Sequence, residues 1–181
     1  DLLATECIKR FNLGPGDKAM VWGCLQFPTR GLRGKGAMDA FEAAGLTVDY
    51  IQISEPALKD PSAQVPAITA YILANLDVKV IIADAGAAVT ISDALVAAGF
   101  GPDEVVVGAF DINAPTIDGL RSGYFDLVLD QQPYLQGYLP ILQICLTKYA
   151  GFSGLHIDTA GGIVDKDSID LVAPLAEKGI R

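Results

Sequence analysis

The sequence predicts an α/β domain, a doubly wound parallel sheet of about six strands with helices on both faces. Three observations carry this. Strand-like and helix-like segments alternate from one end of the chain to the other. Runs such as Val80-Ile81-Ile82 and Val105-Val106-Val107-Gly108-Ala109-Phe110 read as buried strands. These runs stop on polar side chains: Asp84, Asp111, and the pair Asp130-Gln131. A buried strand that ends this way places its polar residue at the carboxyl rim of a parallel sheet, where open α/β folds bind ligands.

Taken in order, Leu2 to Phe11 reads as a helix stopped by Gly14-Pro15-Gly16, and Lys18 to Gly23 as a strand. Leu32 to Ala44 is a helix ended by Gly45, followed by a strand from Thr47 to Ile53. Pro61 to Leu76 reads as one long helix with proline in its first turn, where proline is tolerated. A strand from Val78 to Ala83, a helix from Ala87 to Ala98 and a strand from Glu104 to Phe110 follow. Pro115 to Ser122 is a short helix, Phe125 to Leu129 a strand, and Pro133 to Tyr149 a long helix. Gly161 to Val164 is a short strand, and Asp167 or Ser168 is expected to cap a last helix running to about Lys178.

Bulk properties bound the function. A chain of 181 residues can bury about 70% of its unfolded surface and needs neither disulfide nor metal to fold. Apolar residues make up 51% of it, but no run reaches the ~18 residues of a membrane span. The net charge of −9 is spread along the chain, which argues against nucleic acid or an anionic membrane as partner. Cys7, Cys24 and Cys145 are too few and too widely spaced for a disulfide framework or a zinc site, and are expected to be buried, inert thiols. His156 is the only histidine, so a multi-histidine metal site is excluded. The first residue is Asp1, which is expected to reflect processing or a fragment.

The loop after the first strand, Gly23 to Gly36, is glycine-rich and opens a helix, so phosphate binding has to be weighed. The P-loop pattern needs glycine five residues before the Gly34-Lys35 pair, where Thr29 stands. The dinucleotide pattern runs in reverse here, as Gly31-x-x-Gly34-x-Gly36. No cofactor and no metal are therefore expected. The loop does supply Gln26, Arg30 and Arg33 near the rim. With Asp84, Asp111 and Gln131 they can converge on one small polar ligand. Side chains that donate or accept at two points suit vicinal hydroxyls. Any one of these aspartates could instead cap the next helix, and Asp84 with Asp111 could form a carboxylate pair of the glycosidase kind.

The helix from Tyr134 to Tyr149 is apolar around most of its girth, so it is either a central helix or one that packs on something outside this chain. Pro140 in its interior is expected to kink it.

Four stretches together resemble the type I, ribose-binding-like periplasmic sugar-binding proteins of ABC transporters. They are Val21-Trp22-Gly23 with Pro28 to Arg33, Val80 to Asp84, Val106 to Asp111, and Asp130-Gln131-Gln132-Pro133-Tyr134-Leu135-Gln136-Gly137-Tyr138-Leu139. The likeness runs from about Leu2 to Val164. It implies the second of two lobes, spanning 1–131 plus 155–181. Residues 132–154 would be a hinge crossing and a helix belonging to the absent first lobe. It implies a monosaccharide as ligand, held by Arg33, Asp84, Asp111 and Gln131, with Asp84 standing where many members carry Asn. It further implies hinge closure, delivery to a membrane permease, a periplasmic or extracellular location, and no enzymatic step. The loop Ser54 to Leu58 lacks the aromatic usual after the second strand. Alone, the chain is expected to dimerise or exchange through Tyr134 to Tyr149. Two rivals share the fold: the effector domain of a LacI-type repressor, and an α/β enzyme acting on a sugar.

Overall fold

The computed structural model describes residues 1–84 and 88–181. The strands are β1 (Lys18–Gly23), β2 (Thr47–Gln52), β3 (Val78–Ala83), β4 (Val106–Phe110), β5 (Leu127–Asp130) and β6 (Gly162–Val164). They form one sheet in the order β2-β1-β3-β4-β5-β6. The first five are parallel, as expected, whereas β6 pairs antiparallel with β5 at the edge, Asp130 opposite Gly162. The doubly wound reading holds, and the correction concerns that last strand only. A connection that leaves the carboxyl end of β5 and returns to the same end must re-enter the sheet running the other way.

The helices are α1 (Leu2–Phe11), α2 (Leu32–Ala43), α3 (Glu55–Lys59), α4 (Val65–Ala74), α5 (Ala88–Ala97), α6 (Ala114–Ser122), α7 (Pro133–Ala150) and α8 (Ile169–Ala176). Strand alternation sends successive side chains to opposite faces. Val80 and Ile82 pack with Leu3, Cys7, Ala37 and Phe41 under α1 and α2. Ile81 and Ala83 pack with Ile68, Ile72, Ile91 and Leu95 under α4 and α5. Both faces are thus covered, which is why β3 is apolar apart from exposed Lys79 near its start. Gly108 in β4 leaves room for α1 and for the neighbouring strand, since a Cβ there would meet Cys7 Sγ and Leu3 Cδ2 of α1 at 3.3 Å and Ile82 Cδ1 of β3 at 2.6 Å.

Three local expectations are corrected. The single helix over Pro61 to Leu76 is a 3-10 turn (Pro61–Gln64) followed by α4, and Ser54 starts the separate short helix α3 with its hydroxyl on the Ala57 N–H. Pro66 has no N–H to continue a helix from the preceding turn, so the helix restarts beside it. Buried Gln64 staples the join, accepting from Ser54 N and donating to Gln52 O. Neither Asp167 nor Ser168 caps α8 through its side chain. Ser168 does hold the N-cap position, and Asp165 orders the turn before it, its Oδ1 accepting from the N–H groups of Asp167 and Ser168. Cys145 is exposed, unlike Cys7 and Cys24. The expected start of α5 at Ala87 lies outside the described residues.

α7 runs through Pro140 as one helix of 18 residues, none of them buried. Ile141, Ile144 and Tyr149 are 67%, 64% and 84% exposed. The segment after it, Gly151 to Gly161, turns back along the helix, with Leu155 N donating to Gln143 Oε1 at 2.6 Å. No helix among the described residues is long and apolar enough to cross a membrane.

Candidate functional site

Arg33 lies in the first turn of α2 and Asp84 directly follows β3. Asp111 follows β4, and Gln131 follows β5. Parallel strands deliver their carboxyl ends to one rim, and there the four side chains meet. Arg33 Nη1 donates to Asp84 Oδ1 at 3.3 Å and to Asp111 Oδ2 at 3.5 Å, and Nη2 donates to Gln131 Oε1 at 2.8 Å. Gln131 Nε2 in turn donates to Asp111 Oδ1, closing the ring. The guanidinium carbon sits 5.3 Å from the centre of the Phe110 ring, within cation–π range. Phe110 is a residue the sequence reasoning passed over. Its signal was present, as the last apolar side chain before Asp111.

The backbone holds these groups in place by unusual means. Asp111 has φ +71°, a left-handed conformation rare for a residue with a Cβ. Its N–H donates to Leu129 O at 3.0 Å and its carbonyl accepts from Thr116 Oγ1 at 2.9 Å. The cap of α6 is Asn113, whose side chain accepts from Thr116 N in a reciprocal capping box. Asp111 is therefore not needed as a cap, and its carboxylate is left to the rim. Non-glycine strain of this sort persists only where surrounding structure enforces it, and it concentrates at binding sites.

The electrostatics are uneven. Asp84 is 1% exposed, Asp111 34% and Arg33 29% by side chain. Burial pushes the Asp84 carboxyl above the usual range, and the charges of Arg33 and Arg30 only partly oppose this. Its Oδ2 is buried with no hydrogen-bond partner among the described residues. Leaving one carboxylate oxygen unpaired in this way is costly, and native structures seldom do it without a role for the atom.

The other two expected residues stand apart. Arg30 is exposed on the loop before α2 and reaches Asp84 through its charge. Gln26 donates from Nε2 to Ile53 O at 3.1 Å. It lines a cavity of about 820 Å³ with Phe27, Ile53, Pro56 and Leu58, beside the ring rather than in it. Trp22, next to last in β1, accepts from Asp84 N at 2.9 Å through its carbonyl, and its side chain is in the larger core at 1% exposure. Among the described residues no cluster of His, Cys, Asp and Glu could hold a metal ion.

Solved structures share this architecture. A periplasmic ribose ABC transporter protein from Conexibacter woesei aligns with a TM-score of 0.77 at 21% identity, covering 97% of this chain and 59% of that one. A carbohydrate transporter protein from Acidothermus cellulolyticus, solved with myo-inositol, aligns with a TM-score of 0.74 at 19% identity over 98% and 59% of the two chains. Among curated proteins, the xylose/arabinose-binding protein XylF of Sulfolobus acidocaldarius is 34% identical over 110 residues, 57% of this chain and 27% of that protein. The chain thus spans less than two thirds of the length of these relatives. Residues 2–145 match the periplasmic binding protein domain family, and with the fold and the rim geometry this establishes that the chain belongs to that family.

Proposed function

We propose that this chain is the second lobe of a two-lobed sugar-binding protein that serves an ABC transporter in the periplasm or outside the cell. Its ligand is a monosaccharide, contacted by Arg33, Asp84, Asp111 and Gln131. Residues 1–131 and 155–181 form the lobe, and 132–154 cross to the first lobe and pack on it. The observation that carries the reading is the convergence of Arg33, Asp84, Asp111 and Gln131 on the carboxyl rim, where hydrogen bonds to one another hold them in a ring. A ring with two carboxylate groups, one guanidinium and one amide offers both acceptors and donors, which is what adjacent sugar hydroxyls require. Two carboxylates against one arginine also disfavour phosphorylated ligands. The sugars named for the relatives, xylose, arabinose, ribose and myo-inositol, are uncharged.

Binding needs no covalent step, and the reading assigns the chain no enzymatic activity. The intact protein would close by hinge motion around the sugar and present the closed form to a permease. A micromolar complex is about −8 kcal/mol. With one of two lobes forfeiting roughly half the contacts, the 181-residue chain should bind at millimolar strength or weaker. A thermal-shift panel of xylose, arabinose, ribose and myo-inositol tests the reading, since a ligand of the native state raises the melting temperature. At least one should raise it at high concentration, and Asp111→Ala should abolish the rise. A larger rise with a sugar phosphate or a nucleotide would contradict it.

The exposed apolar side chains of α7 support the same division of the chain. Where the chain exists alone, that face should drive self-association. Sedimentation should show a dimer that Ile141→Glu with Ile144→Glu converts to monomer. A monomer at all concentrations would count against it.

A further inference from the structure

Asp130 ends β5 and is 1% exposed, yet it takes no part in the Arg33 ring. Leu127 and Leu129 face the smaller core, whereas Val128 faces the larger. By alternation Asp130 points away from the side on which Gln131 meets Arg33. Both its oxygens are occupied. Oδ1 accepts the N–H of Gln132 at 2.9 Å, and Oδ2 accepts Arg181 Nε at 2.6 Å. Gln132 is left-handed, with φ +54° and ψ +56°, and starts α7 without a side-chain cap of its own. The carboxylate of Asp130 therefore holds the peptide on which the chain changes direction, and Arg181 holds the carboxylate.

We propose that Asp130 and Arg181 form a clamp that positions Gln131. Gln131 lies between the strand end and the left-handed residue, with its carbonyl accepting from Gln136 Nε2 at 2.8 Å. With both flanking residues fixed, its Cα–Cβ bond is aimed at the ring, and its amide reaches Arg33 Nη2 and Asp111 together. Arg181 and Asp130 are positioning residues and touch no ligand. Their consequence for binding rests on the sugar-binding reading above, but the test does not use it.

The side-chain amide of Gln131 and the backbone amide of Gln132 report the clamp in the 1H–15N spectrum of the labelled chain. Arg181→Gln should move both and abolish the hydrogen-exchange protection of the Gln132 amide, while Arg181→Lys, which keeps the charge, should largely retain them. Should Arg181→Gln fail to fold, Asp130→Ala strands no buried charge, and the same displacement is expected there. A Gln131 amide that stays in place in either folded variant would overturn the proposal. So would an Arg181→Lys variant as displaced as Arg181→Gln. No sugar is present, so a failure here is distinct from a failure of the ligand assignment.

Discussion

The two rims of the sheet each carry an aspartate whose carboxyl is pushed up by burial, and the two aspartates are held by different kinds of partner. At the carboxyl rim, Asp84 shares Arg33 with Asp111 and keeps one buried oxygen without a hydrogen-bond partner among the described residues. At the amino rim, Asp126 is raised to about 6, and its Oδ2 accepts the Val107 N–H at 2.7 Å. It ties the start of β4 to the loop before β5. A raised carboxyl alone thus says little about function. What separates the rims is the kind of partner: Asp84 is tied by Arg33 into a ring of side chains with Asp111 and Gln131, whereas Asp126 accepts from a backbone N–H.

Breaking the carboxyl rim should have the largest effect. Arg33→Met leaves buried Asp84 without its countercharge, beside a second carboxylate, and should lower stability by about 3 kcal/mol in urea denaturation. Adding Asp84→Asn should return most of that loss. Equal losses in the single and double variants would show that packing of Arg33 on Phe110 matters more than charge.

The amino rim should respond with the opposite sign. Because the folded-state pKa of Asp126 is raised to about 6, the folded chain binds this proton more tightly than the unfolded chain. The stability it favours is full below about pH 4 and is lost as pH rises through about 6. Asp126→Asn keeps an acceptor for Val107 N and removes the charge. It should stabilise the chain by about 1–2 kcal/mol at pH 7 and change little at pH 4. Equal effects at both pH values would remove the charge from the explanation.

Cysteine reactivity compares the rims more gently. Burial pushes the Cys7 thiol up to about 12, with the nearby Asp126 charge adding to the rise. Burial also raises Cys24, where Asp84 adds to the shift and Arg30 and Arg33 oppose it. With a thiol reagent at mildly alkaline pH, exposed Cys145 should react first, Cys24 far more slowly and Cys7 slowest. Modification of Cys7 ahead of Cys24 would contradict the electrostatic contrast.

Much of this was legible in the residues. Strand ends on Asp84, Asp111 and Gln131 were visible as apolar runs that stop on a polar side chain, and parallel topology brought them together. What stayed hidden depended on contacts between distant segments. The Asp130–Arg181 pair joins residues far apart in the chain, and no local pattern marks it. The break between the 3-10 turn and α4 depended on Pro66 and on Gln64 stapling to β2, a tertiary contact that helical periodicity does not register. Gln26 lay in the right loop, but its amide satisfies the carbonyl of Ile53 instead of joining the ring. The apolar girth of α7 was legible in the sequence, and in the structure none of its residues is buried.

The central claim, that the Arg33 ring is half of a sugar site, is tested most directly by titrating xylose, arabinose, ribose and myo-inositol into the isotope-labelled chain. The account predicts shifts confined to Arg33, Asp84, Asp111, Gln131 and their neighbours for at least one sugar, with a Kd in the millimolar range or weaker. Micromolar affinity would show that one lobe suffices, and shifts centred elsewhere, or none with any sugar, would show that the ring is not the site.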